Sequence, residues 1–308
     1  MATVTKSIGT SSRDYSTISA WEADLNDESI YSNGDTAVGE MYADSTFTGA
    51  TTTIDGGSAI GGSAAQDLAL VKLTVHADSR HDGTAESGVL LKPTADSGHD
   101  QGIIRINVDN VTIEWLDISL DSLDSANTNK AIVLAGTNDD CILRNMLIHD
   151  KGGNPGNTGP FMIHTINAGA TSDTLTIQNN IIYNVVETAS DGASAINTNP
   201  WQGTANIYNN TIYNIESDGS GKQAYGMAYG NDADATINVK NNLVAKIVAD
   251  GGTSNERAYR QSNASSTLNA SNNLSDDTIT DSSYKAPGSN SLQDKTLAEI
   301  DFVSTSAG

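Results

Sequence analysis

LTIQNNIIYN, Leu175–Asn184, is the stretch that decides the fold, because the chain repeats it. Equivalent segments are CILRNMLIHD (Cys141–Asp150), ANIYNNTIYN (Ala205–Asn214), INVKNNLVAK (Ile237–Lys246) and LNASNNLSDD (Leu268–Asp277). A degenerate earlier copy is VTIEWLDISL, Val111–Leu120. One column of this alignment reads Trp115, Asn145, Asn179, Asn209, Asn241 and Asn272, with steps of 30, 34, 30, 32 and 31 residues. A period of that size is the mark of a repeat architecture.

Within each copy the apolar residues alternate. Val111, Cys141, Leu175, Ile237 and Leu268 form one row, and Ile113, Leu143, Ile177, Ile207 and Val239 form a second. Polar residues fall between them. That is the period of a strand with one buried face. No helical period runs through the repeats. A shorter apolar piece precedes each copy: GIIRIN, KAIVLAG, PFMIHTI, ASAINT, AYGMAY and RAYRQS. Two or three short strands per coil, turning at Asn and Gly, predict a parallel β-helix, an all-β solenoid. The general preference of parallel connections makes it right-handed. Each strand should pair with its equivalent one coil away. Asn145, Asn179, Asn209, Asn241 and Asn272 should then stack as a ladder, whose amides carry both donors and acceptors.

The ends differ from the repeats. Ile18, Trp21 and Leu25 fall on one stripe of a short helix, with Ser16 or Thr17 as its cap. A solenoid needs its open end covered, so residues 1–30 are expected to form an N-terminal cap. Residues 31–285 are the expected β-helix, with regular coils at about 102–275, and 286–308 a C-terminal tail or cap. Within 36–110 the strand candidates are TAVGEMYA, TTTIDG, LALVKLTVHA, SGVLLKP and GIIRINV. Gly61-Gly62 is followed by neither GKS nor GKT and reads as a loop rather than a phosphate cradle.

The 308 residues include 38 acidic and 16 basic ones, a net charge of −22. Such a surface repels nucleic-acid phosphates and anionic membranes, and neither is an expected partner. The N-terminus has no apolar core of a signal peptide, and no stretch approaches 18 apolar residues. The single cysteine, Cys141, sits in an apolar row and reads as a buried thiol.

LTIQNNIIYN resembles the repeat of the pectate-lyase-like superfamily of right-handed parallel β-helix proteins. The opening, TVTKSIGTSSRDYSTISAWEADL, then GDTAVGEMYADSTF, TTTIDG, SRHDGTA (Ser79–Ala85) and TLAEIDFVSTSAG (Thr296–Gly308), is similar to uncharacterised β-helix proteins of bacteria and their phages. Relatives of this type often continue past the equivalent of Phe302–Gly308, so the chain is expected to be processed, trimmed or part of a longer product. The resemblance implies the fold and leaves several functions open, since the superfamily holds lyases, hydrolases, adhesins, tailspikes and inert virion proteins.

Candidate chemistry is sparse. A lyase of this superfamily would need acidic calcium ligands beside an outward Arg or Lys, and a glycosidase two or three carboxylates on one groove. Asp139 and Asp140 form an acidic pair in a turn. Glu114 and Asp117 are the other carboxylates considered, but strict alternation sends them to opposite faces. The outward row Glu114, Arg144, Gln178, Tyr208, Lys240 and Ser271 offers one Glu114–Arg144 pair. His76, His81, His99, His149 and His164 lack zinc-ligand spacing, and His149, aligned with Tyr183 and Tyr213, reads as a surface-stacking residue. Three Asp-Gly turns, at Asp191, Asp218 and Asp250, are calcium candidates on one loop-bearing side.

The expectation is therefore a non-enzymatic structural or attachment protein with no catalytic or cofactor residue. It would be a phage virion component, such as a capsid decoration, fibre or tail protein, or an extracellular display scaffold. Its expected partners are other virion or surface proteins, a surface glycan, and copies of itself as a trimer. The alternatives are a tailspike-like polysaccharide lyase or glycoside hydrolase, and a bacterial surface adhesin.

Overall fold

The computed structural model describes residues 1–49, 51–55, 68–94, 101–121, 123, 130–136, 140–152, 159–166, 169–188, 192–218, 221–230, 233–250, 255–276 and 282–300. Its strands form three sheets, and every pairing between them is parallel. Sheet A runs Thr3–Ile8, Thr36–Met41, Leu70–Val75, Val111–Glu114, Cys141–Arg144, Thr174–Gln178, Thr204–Tyr208, Thr236–Lys240 and Thr267–Ser271. Sheet B runs Leu90–Leu91, Asp117–Ser119, Leu147–Lys151, Ile181–Glu187, Thr211–Ser217, Leu243–Ala249, Leu274–Asp276 and Leu292–Lys295. Sheet C runs Thr52–Ile54, Ile104–Ile106, Ile132–Leu134, Phe161–Thr165, Ala193–Thr198, Ala224–Tyr229 and Glu256–Gln261. From Ile104 to Asp276 the chain visits C, A and B in turn, and the last strand, Leu292–Lys295, stays in sheet B. The protein is a parallel β-helix.

The two inward rows read from the sequence line the interior. Val111, Cys141, Leu175 and Ile237, with Ala205, are fully buried, and Leu268 packs partly buried at the end of the row. Ile113, Leu143, Ile177, Ile207 and Val239 are fully buried beside them. Sheet B adds Ile118, Ile148, Ile182, Ile212 and Val244. Each such side chain contributes about 1.5–3 kcal/mol by leaving water, so the stacked rows supply the main cohesion between coils.

The Asn-rich segment is not one strand. It breaks after four or five residues into a sheet A strand and a sheet B strand. The corner residue is Trp115, Asn145, Asn179, Asn209, Asn241 or Asn272, each with φ between 55° and 68°. Asn tolerates this left-handed conformation better than other residues with a side chain. These asparagines point outward and are not the amide ladder.

The ladder is the next column. Asn180 Nδ2 donates to Asn210 Oδ1 at 3.0 Å, Asn210 to Asn242 at 3.0 Å, and Asn242 to Asn273 at 3.1 Å. The same amides donate to the carbonyls of Leu143, Ile177, Ile207 and Val239. Each Oδ1 also accepts a backbone N–H from the preceding coil, starting with Met146. The ladder asparagines are at most 1% exposed, and they satisfy the corner's buried backbone groups.

A second left-handed row bends sheet B at Asp150, Asn184, Asn214 and Lys246, with φ of 54–58°. Past this bend Val185, Ile215 and Ile247 turn inward. Lys151 occupies the same inward row, and its Nζ donates to the carbonyls of Leu123 and Gly152, both at 2.8 Å.

At the N-terminus, Thr17 Oγ1 accepts from Ala20 N at 3.1 Å and caps the helix Ile18–Ala23. Ile18, Trp21 and Leu25 are buried against the first coil. Gly39 has to be glycine there, since a Cβ would lie 2.8 Å from the Trp21 ring. The Gly56–Gly62 loop lies outside the described residues. Among the described residues no helix is long and apolar enough to cross a membrane.

Candidate functional site

Chemistry-bearing side chains gather on the outer side of the corner between sheets A and B. The segment 76–91 makes this possible. It leaves sheet A at Val75, turns through Ala77–Ser79, crosses the corner as an arm, and rejoins the stack as Leu90–Leu91 of sheet B. His81 Nε2 reaches the carbonyl oxygen of Asn145 at 2.9 Å, and the Glu86 N–H donates to Asp117 Oδ2 at 2.6 Å. The arm therefore lies over coils that come later in the chain.

Beneath it, Asp117 and His149 are neighbours across sheet B. Register places Asp117 beside Leu147, and Ser119 beside His149. His149 Nε2 is 2.7 Å from Asp117 Oδ1, and its Nδ1 is 2.8 Å from Asp150 Oδ2. Asp150 Oδ1 accepts from Asn184 Nδ2 at 2.9 Å, and Asn184 Oδ1 from Asn214 Nδ2 at 2.9 Å. A polar chain thus spans four coils. The His149 ring stacks on Tyr183 with centroids 5.3 Å apart and planes 10° apart.

Burial opposes a charge on His149, but the bonds to Asp117 and Asp150 outweigh it and push its pKa up to about 9. The imidazolium donates from both nitrogens. Asp150 is held below the usual carboxylate range by His149, against its own burial, with Asn184 assisting. His149 aligns with Tyr183 as expected, yet it is 1% exposed and not a surface residue. Tyr183 stacks on its ring, and Asp117 gives it a buried counter-charge.

Glu114 lies on the outer side of sheet A. Its carboxylate accepts from Lys72 Nζ at 2.7 Å, Arg144 Nε at 2.6 Å and Thr74 Oγ1 at 2.7 Å. The Glu114–Arg144 pair read from the sequence is present, but Glu114 is 3% exposed. Burial raises its pKa, and the three donors more than reverse this, leaving it below the usual range. Strict alternation put Glu114 and Asp117 on opposite faces. The corner at Trp115 interrupts the strand, so both point outward, from different sheets.

Beside the buried cluster, at the edge of the arm, is a cleft of about 390 Å³ lined by His81, Asp82, Gly83, Trp115, Asn145, Met146, Asn179 and Ile181. Arg80 lies over the Trp115 ring, 4.7 Å from its centroid, and the His81 ring is tilted against it at 5.8 Å. Arg80 is fixed by a bond from Nε to the Val75 carbonyl at 3.2 Å. Asp82 is held ionised by the Thr84 N–H, with Ser87 assisting.

The other candidates do not join this group. Asp140 is an exposed turn residue with φ 51°, and Asp139 lies outside the described residues. Asp218 and Asp250 are exposed at equivalent places after successive sheet B strands, and their backbone N–H groups donate to the carbonyls of Glu187 and Ser217. Asp191 and most of the loops around these turns lie outside the described residues. Among the described residues no three His, Cys, Asp or Glu side chains sit close enough to hold a metal. Cys141 is buried, with Sγ 3.8 Å from the Val108 carbonyl oxygen. Sequence reading missed the Asp117–His149–Asp150 cluster, since no motif spacing links residues 32 apart except the repeat itself.

No family model matches the chain, and no curated protein matches it. A solved structure described as pectin methylesterase from carrot is similar over 99% of this chain and 84% of that one, at 8% identity and a TM-score of 0.47.

Proposed function

We propose that this chain is a non-enzymatic structural or attachment protein, a rigid β-helix that serves as a phage virion component or an extracellular display scaffold. The observation that carries this reading is the closed state of the Asp117–His149–Asp150 cluster. Both imidazole nitrogens are held by carboxylates, the ring is 1% exposed, and the arm is bonded to the neighbouring Asp117. A general base needs a free nitrogen within reach of a substrate proton. Glu114 is likewise engaged by three internal donors. These groups serve to hold coils together. The placement on a particle rests on the resemblance of the opening and of Ser79–Ala85 to β-helix proteins of bacteria and their phages.

Mass spectrometry of purified phage particles and of the cell-surface fraction tests the location. Recovery with particles supports a virion role, and recovery at the cell surface the scaffold or adhesin role. Absence from both sinks the proposal. Incubation with acidic polysaccharides, followed by absorbance of unsaturated products and by reducing ends, tests the chemistry. Turnover would overturn the non-enzymatic reading, and its loss in Asp139 or Asp140 variants would assign it to that turn.

A further inference from the structure

Asn33 is followed by Gly34, and no other asparagine of the chain is followed by glycine. The pair forms the tip of the turn Ser32–Asp35, which the Asp35 N–H closes on the Ser32 carbonyl at 3.0 Å. Asn33 is exposed, and Gly34 takes the left-handed conformation at φ 80°. With no Cβ, Gly34 leaves its own amide nitrogen unhindered. Among the described residues, neither that N–H nor the Asn33 side chain has a hydrogen-bond partner.

The asparagines of the corners are guarded by comparison. The residues that follow them, Met146, Asn180, Asn210, Asn242 and Asn273, each donate their N–H to a side-chain oxygen at 3.0–3.1 Å. After Asn184 and Asn214 come the β-branched Val185 and Ile215, paired with each other in sheet B. A nitrogen spent in such a bond, or shielded by a branched side chain, is a poor nucleophile. The Gly34 nitrogen is neither.

An unengaged amide nitrogen beside asparagine attacks the side-chain carbonyl. Here the Gly34 nitrogen gives its proton to a solvent base and bonds to Asn33 Cγ. The Cγ–Nδ2 bond breaks, and Nδ2 takes up a proton and leaves as ammonia. Water then adds to one of the two carbonyls of the imide ring that has formed. Opening at Cγ gives aspartate. Opening at the main-chain carbonyl gives isoaspartate, whose main chain runs through Cβ and Cγ. The net change consumes one water and turns the amide into a carboxylate and ammonium.

The turn also ties down the start of sheet A. The Asp35 carboxylate accepts from the Ala2 N–H at 2.6 Å and the Ser32 N–H at 3.0 Å. The Asp35 carbonyl accepts from the Ala69 N–H at 2.9 Å, and the Thr36 N–H donates to the Ala2 carbonyl at 2.8 Å. Isoaspartate lengthens the main chain inside Ser32–Asp35 and displaces Asp35 from Ala2. We infer that Asn33–Gly34 is a site of spontaneous self-modification, at which the folded chain converts Asn33 to aspartate and isoaspartate, and that the isoaspartate form frees the first strand, Thr3–Ile8. The inference does not rest on where the protein resides.

Peptide mapping by mass spectrometry tests it on the full chain, kept folded in mildly alkaline buffer and, in parallel, unfolded in urea. In the folded chain Asn33 should convert to acid before any other asparagine, giving two products that separate by chromatography. Conversion should slow in mildly acidic buffer and be absent at that position in Asn33→Ser. Amide hydrogen exchange over Thr3–Ile8 should be faster in the isoaspartate fraction than in Asn33→Asp, which adds the same charge without lengthening the chain. Earlier conversion of a corner asparagine would overturn the site. So would an Asn33 that stays intact in the folded chain while converting in urea. Equal exchange in the isoaspartate fraction and in Asn33→Asp would overturn the release of the first strand.

Discussion

His149 Nε2 stands 2.7 Å from Asp117 Oδ1, with the two side chains 1% and 0% exposed. A buried ion pair is weak evidence of net stabilisation, but losing one partner strands the other charge. His149→Ala leaves Asp117 with the Glu86 N–H as its described donor. The expected loss is about 3–5 kcal/mol, read by chemical denaturation at pH 7. A change below ~1 kcal/mol would show that Asp117 finds other donors at little cost.

The same pair sets an alkaline limb of stability. The folded pKa of His149, about 9, lies above its ordinary value of 6.5. The folded state therefore binds the proton more tightly than the unfolded chain. The stabilisation is complete below about pH 6.5 and is lost as pH rises through about 9, on the order of 3 kcal/mol in all. Denaturation curves for the wild type should fall across that window and those for His149→Gln should not. A flat wild-type profile would contradict the assignment.

Glu114 acts in the opposite direction. Its carboxyl is held below the ordinary range by Lys72, Thr74 and Arg144 despite burial. Its contribution is present at neutral pH and disappears as pH falls through the folded value. Glu114→Gln should cost about 1–3 kcal/mol at pH 7, and nothing in acid strong enough to protonate the wild-type carboxyl. Equal destabilisation at both pH values would mean that geometry rather than charge holds Lys72 and Arg144.

Adjacent asparagines should respond differently to substitution. Asn210→Ala removes a buried amide that donates to Ile177 O and Asn242 Oδ1 and accepts from Asn180. It should cost about 2–3 kcal/mol. Asn209 is exposed at φ 55°, so Asn209→Ala should cost about 1 kcal/mol and Asn209→Gly almost nothing. Thermal unfolding of the three variants would order them, and a reversed order would move the ladder back to the first column.

Gly226 sits where a Cβ would be 2.3 Å from Val244 Cγ1 and 2.6 Å from the Ala258 carbonyl oxygen. The carbonyl belongs to the next coil, so the clash would push sheet C outward. Gly226→Ala should cost about 1–3 kcal/mol and Gly226→Val more. A calorimetric midpoint unchanged in Gly226→Ala would show that Val244 can turn away freely.

The period, the inward rows and the coil-to-coil register were legible because each rests on alternation within a repeat. The ladder was read one column early. Asn145 is followed by Met146 and Trp115 by Leu116, so the true ladder column contains fewer asparagines than the corner column. The left-handed corner selects Asn more uniformly than the ladder does, and counting favoured the corner. The bend at Asp150, Asn184, Asn214 and Lys246 was hidden because its residue types differ. The buried cluster was hidden for another reason. His149 looks like a surface residue until Asp117, which the non-repeating arm also engages, is placed beside it.

That arm changes how the molecule is expected to assemble. Coils of a solenoid ordinarily contact only their neighbours and can form in any order. Here His81 finds its partner 64 residues later, at Asn145, and Glu86 finds its own 31 residues later, at Asp117. As the chain is synthesised, residues 76–91 must wait until the coil containing His149 has formed beneath them. These contacts tie early coils to later ones, so unfolding there is expected to be more cooperative than the repeat alone would give.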